Sequence, residues 1–255
     1  MGISVNKKIM TKREVLYNAN LAVLAYSQKE QIKWSDYGLE LVKWIENKKS
    51  DTQGFVATRD KAIYVVWRGS ESKKDFQNDA SIDKVPFIND GEKVHIGFKY
   101  CWESVVGDTY DAIDIAIENL QGETTDIVVC GHSLGGAIAT LYAHSIKKHY
   151  PHYNIKSVTI GSPRVGNKTF KDNYDSYEID TLRVVHNNDL VTHTPYIRFY
   201  HVNYQLRLDS DGNVLKRDTS LNALWLYLKS LFSGKNIKDH MCDGYMTALQ
   251  NWVAK

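Results

Sequence analysis

Asp126-Ile127-Val128-Val129-Cys130-Gly131-His132-Ser133-Leu134-Gly135-Gly136-Ala137 runs from an apolar stretch through Gly-X-Ser-X-Gly into a segment rich in alanine and leucine. The five-residue pattern by itself decides little, because its three fixed positions arise by chance in roughly a tenth of chains this long. The setting decides more. A strand in front and a helix behind require a sharp turn between them. Gly131 and Gly135 leave room where strand end and helix start crowd each other, so that Ser133 can be held strained with its hydroxyl exposed. The following helix aims its first N–H groups at the same spot, where they can meet a developing anion. Ser133 is therefore read as a nucleophile rather than as part of an inert strand–helix turn.

Working outward, residues 54–58 and 62–67 are β-branched and aromatic runs separated by Arg59-Asp60-Lys61, a hairpin signal. The second run is nearly continuous in apolar residues, which predicts a strand buried on both faces. It ends in Arg68-Gly69-Ser70, at the strand edge where open α/β sheets place ligand sites. Further strands are expected at 155–160, 181–186 and 199–208. Helices are expected at 11–26, 37–46, 100–120 and from the serine turn to about Tyr150. Residues 71–93 form a long polar connection with an apolar patch, Val85-Pro86-Phe87-Ile88. A connection of that length is read as a lid, the alternative being a surface excursion whose apolar patch docks on the body. Residues 221–232 are apolar almost all round. They predict a buried or docked helix, or one bordering an acyl site or lipid surface, and are too short to span a bilayer. The order β, β, α, β, α, β, β, β predicts one domain over residues 1–255, an α/β fold with a mixed, mostly parallel central sheet and flanking helices.

A serine nucleophile needs a histidine base, and the base needs a carboxylate. In the expected chain order the acid and then the histidine follow the serine. His144, His149 and His152 lie in or just after the elbow helix, which leads away from the site. His186 and His193 flank the best acid too closely, and His201 falls within a strand pattern. His240 follows a loop, opens the last helix, and is the best base by elimination and by order. Asp189 comes directly off a strand end in Asn187-Asn188-Asp189, at the same sheet edge as Ser133. Asp209, Asp211 and Asp218 sit in or near a turn, Asp239 adjoins His240, and Asp243 remains a competitor. The donor after the nucleophile, the backbone N–H of Leu134, follows from elbow geometry.

Composition narrows the class. The 255 residues are 43% apolar and 24% charged, with a net charge of +2, ordinary values for a globular chain. The lysines are scattered, so no nucleic-acid partner is expected. Three cysteines, Cys101, Cys130 and Cys242, have neither metal-ligand spacing nor the look of a disulfide framework, and fit a reducing compartment. The first residues lack the apolar core of a signal peptide, and Asn6 breaks a myristoylation motif. A cytoplasmic location is expected on that basis. No metal site, phosphate loop or dinucleotide motif is present, so no cofactor is expected.

Taken in order, these segments resemble the class 3 lipases, the fungal-lipase-like family of α/β-hydrolases. Arg68-Gly69-Ser70 is similar to the family's oxyanion loop and His95-Ile96-Gly97-Phe98 to its His-X-Gly-Phe segment. Gly131 to Ala137 resembles its elbow. Gly161-Ser162-Pro163-Arg164-Val165-Gly166-Asn167 resembles its Gly-X-Pro-Arg-Val-Gly-Asn segment. Residues 184–195 are similar to the stretch that carries the acid, His201-Val202-Asn203 to a structural histidine stretch, and Asp239-His240 with Tyr245 to the end that carries the base. The resemblance covers about residues 55–245.

The resemblance implies Ser133 as nucleophile, Asp189 as orienting acid and His240 as base, with an oxyanion hole from the backbone N–H groups of Leu134 and Ser70. The Ser70 hydroxyl would be a third donor. It implies a structural His132, and Asp79 is similar to a lid-region aspartate that would hydrogen-bond Ser70. The expected activity is a serine carboxylic ester hydrolase, a lipase or esterase, cleaving acylglycerols or other lipid esters through an acyl-enzyme. Its partners would be a small-molecule or lipid ester and, transiently, a membrane or lipid-droplet surface. The alternatives are a phospholipase A or galactolipase at a membrane surface, and a lipase-fold binding or signalling protein without catalysis.

Overall fold

The computed structural model describes residues 10–69, 83–124, 126–216 and 235–255. In chain order the elements are α1 (Lys12–Leu24), β1 (Glu40–Asn47), β2 (Thr52–Arg59), β3 (Ala62–Trp67), β4 (Lys84–Pro86), β5 (Lys93–His95), α2 (Ile96–Glu103) and α3 (Val106–Asn119). They continue with β6 (Asp126–His132), α4 (Leu134–His149), β7 (Asn154–Ile160), α5 (Lys168–Ser176), β8 (Asp180–His186), β9 (Tyr204–Leu208) and α6 (Cys242–Ala254). Seven strands form one sheet in the order β1-β2-β3-β6-β7-β8-β9. β1, β2 and β3 pair antiparallel, and every pair from β3 to β9 is parallel.

The sheet is apolar on both faces, which is why its central strands read as continuous apolar runs. Ile63, Val65 and Trp67 of β3 and Ile127 and Val129 of β6 point to one side, into a cluster with residues of α2, α3, α4 and α5. Val66 and Cys130 point to the other, where α1 and α6 supply Val15, Ala19, Tyr245 and Leu249. Each fully buried large side chain in these layers contributes about 1.5–3 kcal/mol. Trp67, fully buried, stacks on Tyr142 of α4 at 4.9 Å and 8°, fixing the elbow helix over the strand that precedes residue 70.

Four elements differ from the sequence reading. Residues 37–46, expected as a helix, hold the edge strand β1. A bulge between Leu41 and Lys43 inserts Val42, so Leu41 and Trp44 reach one layer and Val42 and Ile45 the other. The resulting spacing of three imitates a helix, because the bulge breaks the two-residue alternation. The expected helix at 100–120 is two helices, α2 and α3, parted where Ser104 turns its hydroxyl onto Cys101 O at 2.7 Å. α5 is an additional helix, capped by Asn167, which accepts from Phe170 N at 2.9 Å, with Phe170 and Tyr174 burying one face. The last strand covers only Tyr204–Leu208 of the expected 199–208.

Of the expected lid, residues 71–82 lie outside the described residues, as does the apolar stretch 221–232. Residues 83–93 pack on the body. Phe87 meets Trp102 at 5.2 Å and Phe170 at 5.8 Å. Glu92 is buried and takes hydrogen bonds from Asn89 Nδ2 at 2.8 Å, Asn173 Nδ2 at 2.8 Å and Asn89 N at 2.9 Å. It also faces His144 Nε2 of α4 at 3.0 Å. Burial opposes its charge, but the His144 and Asn89 hydrogen bonds outweigh it and hold the carboxyl at about 2.

Candidate active site

β6 ends against β3 and β7, with Gly131 level with Trp67 and His132 level with Ile160. The chain then turns through Ser133 at φ 57° and ψ −125°, a conformation costing about 1–3 kcal/mol that persists only when its surroundings impose it. Ser133 N donates to Ile160 O at 3.0 Å, and Ser133 O takes Gly136 N at 2.9 Å to start α4. A Cβ on Gly131 would stand 2.3 Å from Gly135 O, and one on Gly135 2.3 Å from Trp67 O. Both glycines are thus steric requirements of the turn.

Three strand ends and the segment before α6 converge here. His240 Nε2 lies 2.8 Å from Ser133 Oγ, and His240 Nδ1 lies 2.8 Å from Asp189 Oδ2. With the carboxylate accepting from Nδ1–H, Nε2 is left as the acceptor for the serine hydroxyl, which is the tautomer a base requires. Asp189 is fully buried, and the His240 side chain is 16% exposed. The structure therefore brings together Ser133, Asp189 and His240, and it is Asp189 rather than Asp243 that pairs with His240.

The acid is held on several sides. Its Oδ2 takes the Tyr245 hydroxyl at 2.5 Å and its Oδ1 takes Val191 N at 2.9 Å. Burial, and then the Asp189 charge, push the Tyr245 phenol well above its usual range, so it stays a donor. Thr192 Oγ1 donates to Asp189 O at 2.7 Å, and His201 Nε2–H donates to Thr192 O at 2.6 Å. His201 thus secures the acid's loop from outside the strand expected to contain it. Asp239 accepts from Asn188 N at 3.3 Å and from Asn187 Nδ2 at 3.4 Å, tying the base's segment to the acid's turn. Gly161, at φ +65°, passes directly beneath, where a Cβ would lie 3.0 Å from His240 Cε1 and 3.1 Å from Asp189 Oδ2.

His132 supports His240. Its Nε2–H donates to His240 O at 2.9 Å, and its Nδ1 accepts from the Tyr26 hydroxyl at 2.7 Å. Both bonds fit the neutral ring, and burial, then the neighbouring His240, push its pKa down to about 3. Tyr26 was legible only as the end of a helix. Its partner is 106 residues away in the chain, and no local pattern announces such a contact.

Leu134 opens α4, and the N–H groups of a helix's first turn have no partner within the helix. Gly69 lies against Ser133, where a Cβ would meet Ser133 Cβ at 3.0 Å and His132 O at 2.7 Å. Gly69 thus brings the chain directly beside Ser133. Ser70 and Asp79 lie outside the described residues. Among the described residues no group of three His, Cys, Asp or Glu side chains is arranged to hold a metal, and no helix is long and apolar enough to cross a membrane.

A mostly parallel sheet with a serine elbow at one strand end, an acid from a later strand end and a histidine from the segment before the last helix define the α/β-hydrolase fold. Residues 64–199 match the family "Lipase (class 3)", and the chain belongs to that family. It is 36% identical over 174 residues to a lipase of Rhizopus niveus, covering 64% of this chain and 42% of that protein. It is 31% identical over 181 residues to secreted mono- and diacylglycerol lipase A of Penicillium cyclopium, covering 69% and 58%. The matches thus span about half the length of these relatives. Among solved structures, a triacylglycerol lipase described as having a serine protease triad as its catalytic centre superposes with a TM-score of 0.75 at 26% identity. That likeness covers 89% of this chain and 92% of the other.

Proposed function

We propose that this protein is a serine carboxylic ester hydrolase of the lipase type, acting on acylglycerols or other lipid esters through an acyl-enzyme. One observation carries the reading: Ser133 Oγ, His240 and Asp189 form a continuous hydrogen-bonded chain with 2.8 Å at each link. In this reading His240 Nε2 takes the Ser133 proton as Oγ attacks the ester carbonyl. The oxyanion settles between the Leu134 N–H and the Ser70 donors. His240 then protonates the departing alcohol, and collapse leaves the acyl group on Ser133. Water, deprotonated by His240, attacks the acyl-enzyme and releases the fatty acid and the free serine. Asp189 keeps the imidazole turned and stabilises its charge at both stages. Each oxyanion donor would matter at about 3 kcal/mol.

The names of relatives support a lipid ester as substrate, and the complete triad speaks against a binding protein without catalysis. All three cysteines are free thiols, which fits a reducing compartment. The test is hydrolysis of p-nitrophenyl esters by Ser133→Ala. Activity disappears while the circular dichroism spectrum and melting temperature are kept; persistent turnover would overturn the assignment. A panel of esters of increasing acyl length, run below and above the solubility limit, then defines the substrate class.

A further inference from the structure

Three large apolar side chains, Ile96, Ile197 and Tyr200, are 43%, 60% and 40% exposed, and the segments that carry them meet beside Lys84. Lys84 pairs with His95 across the β4–β5 hairpin, which places Ile96 next in the chain. Its Nζ donates to Ile197 O at 3.5 Å and lies 4.1 Å over the Phe199 ring. Tyr200, beside Phe199, donates its N–H to Gly166 O at 2.8 Å, and Gly166 bridges in turn to Val94 of β5. Backbone pairing thus stitches these short segments into one surface.

Three cations, Lys84, Lys93 and Arg198, lie on this surface, with the exposed Asp83 at its edge beside Lys84. Burial, and then Arg198 and Lys93, hold the Lys84 ammonium below the usual lysine range. Lys84, Lys93 and Arg198 form no ion pair among the described residues, whereas Lys99 and Lys168 nearby in sequence are each paired with an acid. Three cations repelling one another beside exposed apolar groups favour an anionic, apolar partner. The surface is also close to the site. Gly166 follows Gly161 by five residues, a reach of at most about 18 Å, and Gly161 touches the His240–Asp189 pair.

We propose that Ile96, Ile197 and Tyr200, ringed by Lys84, Lys93 and Arg198, form a docking surface for an anionic lipid bilayer. The apolar side chains enter the headgroup region while the cations meet lipid phosphates at the same depth. A nucleic acid would call for a longer basic track than three residues. The proposal deepens the ester-hydrolase reading and rests on it, since docking here brings the bilayer to the same sheet edge as Ser133.

The test is sedimentation of the whole chain with phosphatidylcholine vesicles, with and without phosphatidylglycerol. Soluble-ester turnover is measured on the same samples. The wild type is expected to favour the anionic vesicles and to lose that preference at high salt. Lys93→Glu with Arg198→Glu, both exposed and outside the triad, is expected to lower anionic binding by roughly tenfold or more. Ile197→Ser should weaken binding while leaving the anionic preference. Equal binding to both vesicle types, or binding unmoved by the double variant, overturns the docking surface. Soluble-ester turnover judges the ester-hydrolase reading separately, so the two failures are distinguishable.

Discussion

Tyr245 donates its hydroxyl to Asp189 Oδ2 at 2.5 Å, the same oxygen that faces His240 Nδ1 at 2.8 Å. One carboxylate oxygen thus holds both the base and a buried phenol from α6, and the helix fixes the acid's position against the base. Tyr245→Phe removes one donor from a fully buried carboxylate, and hydrogen bonds to charged groups contribute about 1.5–3 kcal/mol. Urea unfolding should show a loss of that size. The kcat on a soluble ester should fall by roughly tenfold, equivalent to ~1.4 kcal/mol, with KM little changed. A variant as stable and active as the wild type would remove Tyr245 from the site's support.

Gly161→Ala tests how tightly the His240–Asp189 pair is seated. The residue lies at φ +65°, and its new Cβ would press on both partners at 3.0–3.1 Å. Left-handed backbone costs a non-glycine residue about 1–2 kcal/mol, and the contact would push the imidazole off line. Thermal melting should fall accordingly, and kcat should drop more than stability alone explains. Unchanged kcat would show that the pair tolerates displacement.

His132 should not titrate across the working range. Its folded pKa of about 3 lies below its ordinary value of 6.5, so the unfolded chain binds the proton more readily. Its contribution to stability is complete above about 6.5 and declines as pH falls from there through about 3. Proton NMR of the imidazole resonances should show one histidine, assigned by His132→Gln, that stays neutral at pH 5. A His132 resonance titrating near its ordinary value contradicts the Tyr26 and His240 hydrogen bonds described above.

Glu92 gives a second acid-sensitive window, at lower pH. Its folded pKa of about 2 lies below the ordinary 4.5, so its stabilisation is present above about 4.5 and is lost as pH falls through about 2. At neutral pH, Glu92→Gln removes a buried carboxylate that accepts from Asn89 and Asn173 and faces His144, and lost hydrogen bonds to a charged group cost about 1.5–3 kcal/mol. The melting-temperature gap between wild type and variant should narrow as the pH drops below 4.5. A gap constant with pH would rule out an ionised Glu92.

What the sequence disclosed and what it hid follow one physical division. The elbow, the hairpin and the parallel strands are written in contiguous residues, and so could be read. Ser133, Asp189 and His240 were legible because chain order and strand ends limit the choices. Val42 misled, since a single bulge residue turns strand alternation into helix-like spacing. The Tyr26–His132, Tyr245–Asp189 and Glu92–His144 contacts join residues 106, 56 and 52 positions apart. Such pairings depend on packing across layers, which no local pattern encodes.

The measurement that bears most directly on the central claim is labelling with a fluorophosphonate, followed by peptide mapping. An activated serine hydroxyl is what the reagent requires. Stoichiometric modification at Ser133 is expected, slowed by orders of magnitude in His240→Ala and Asp189→Ala. A folded protein that stays unlabelled, or is labelled at another serine, would contradict the acyl-transfer site.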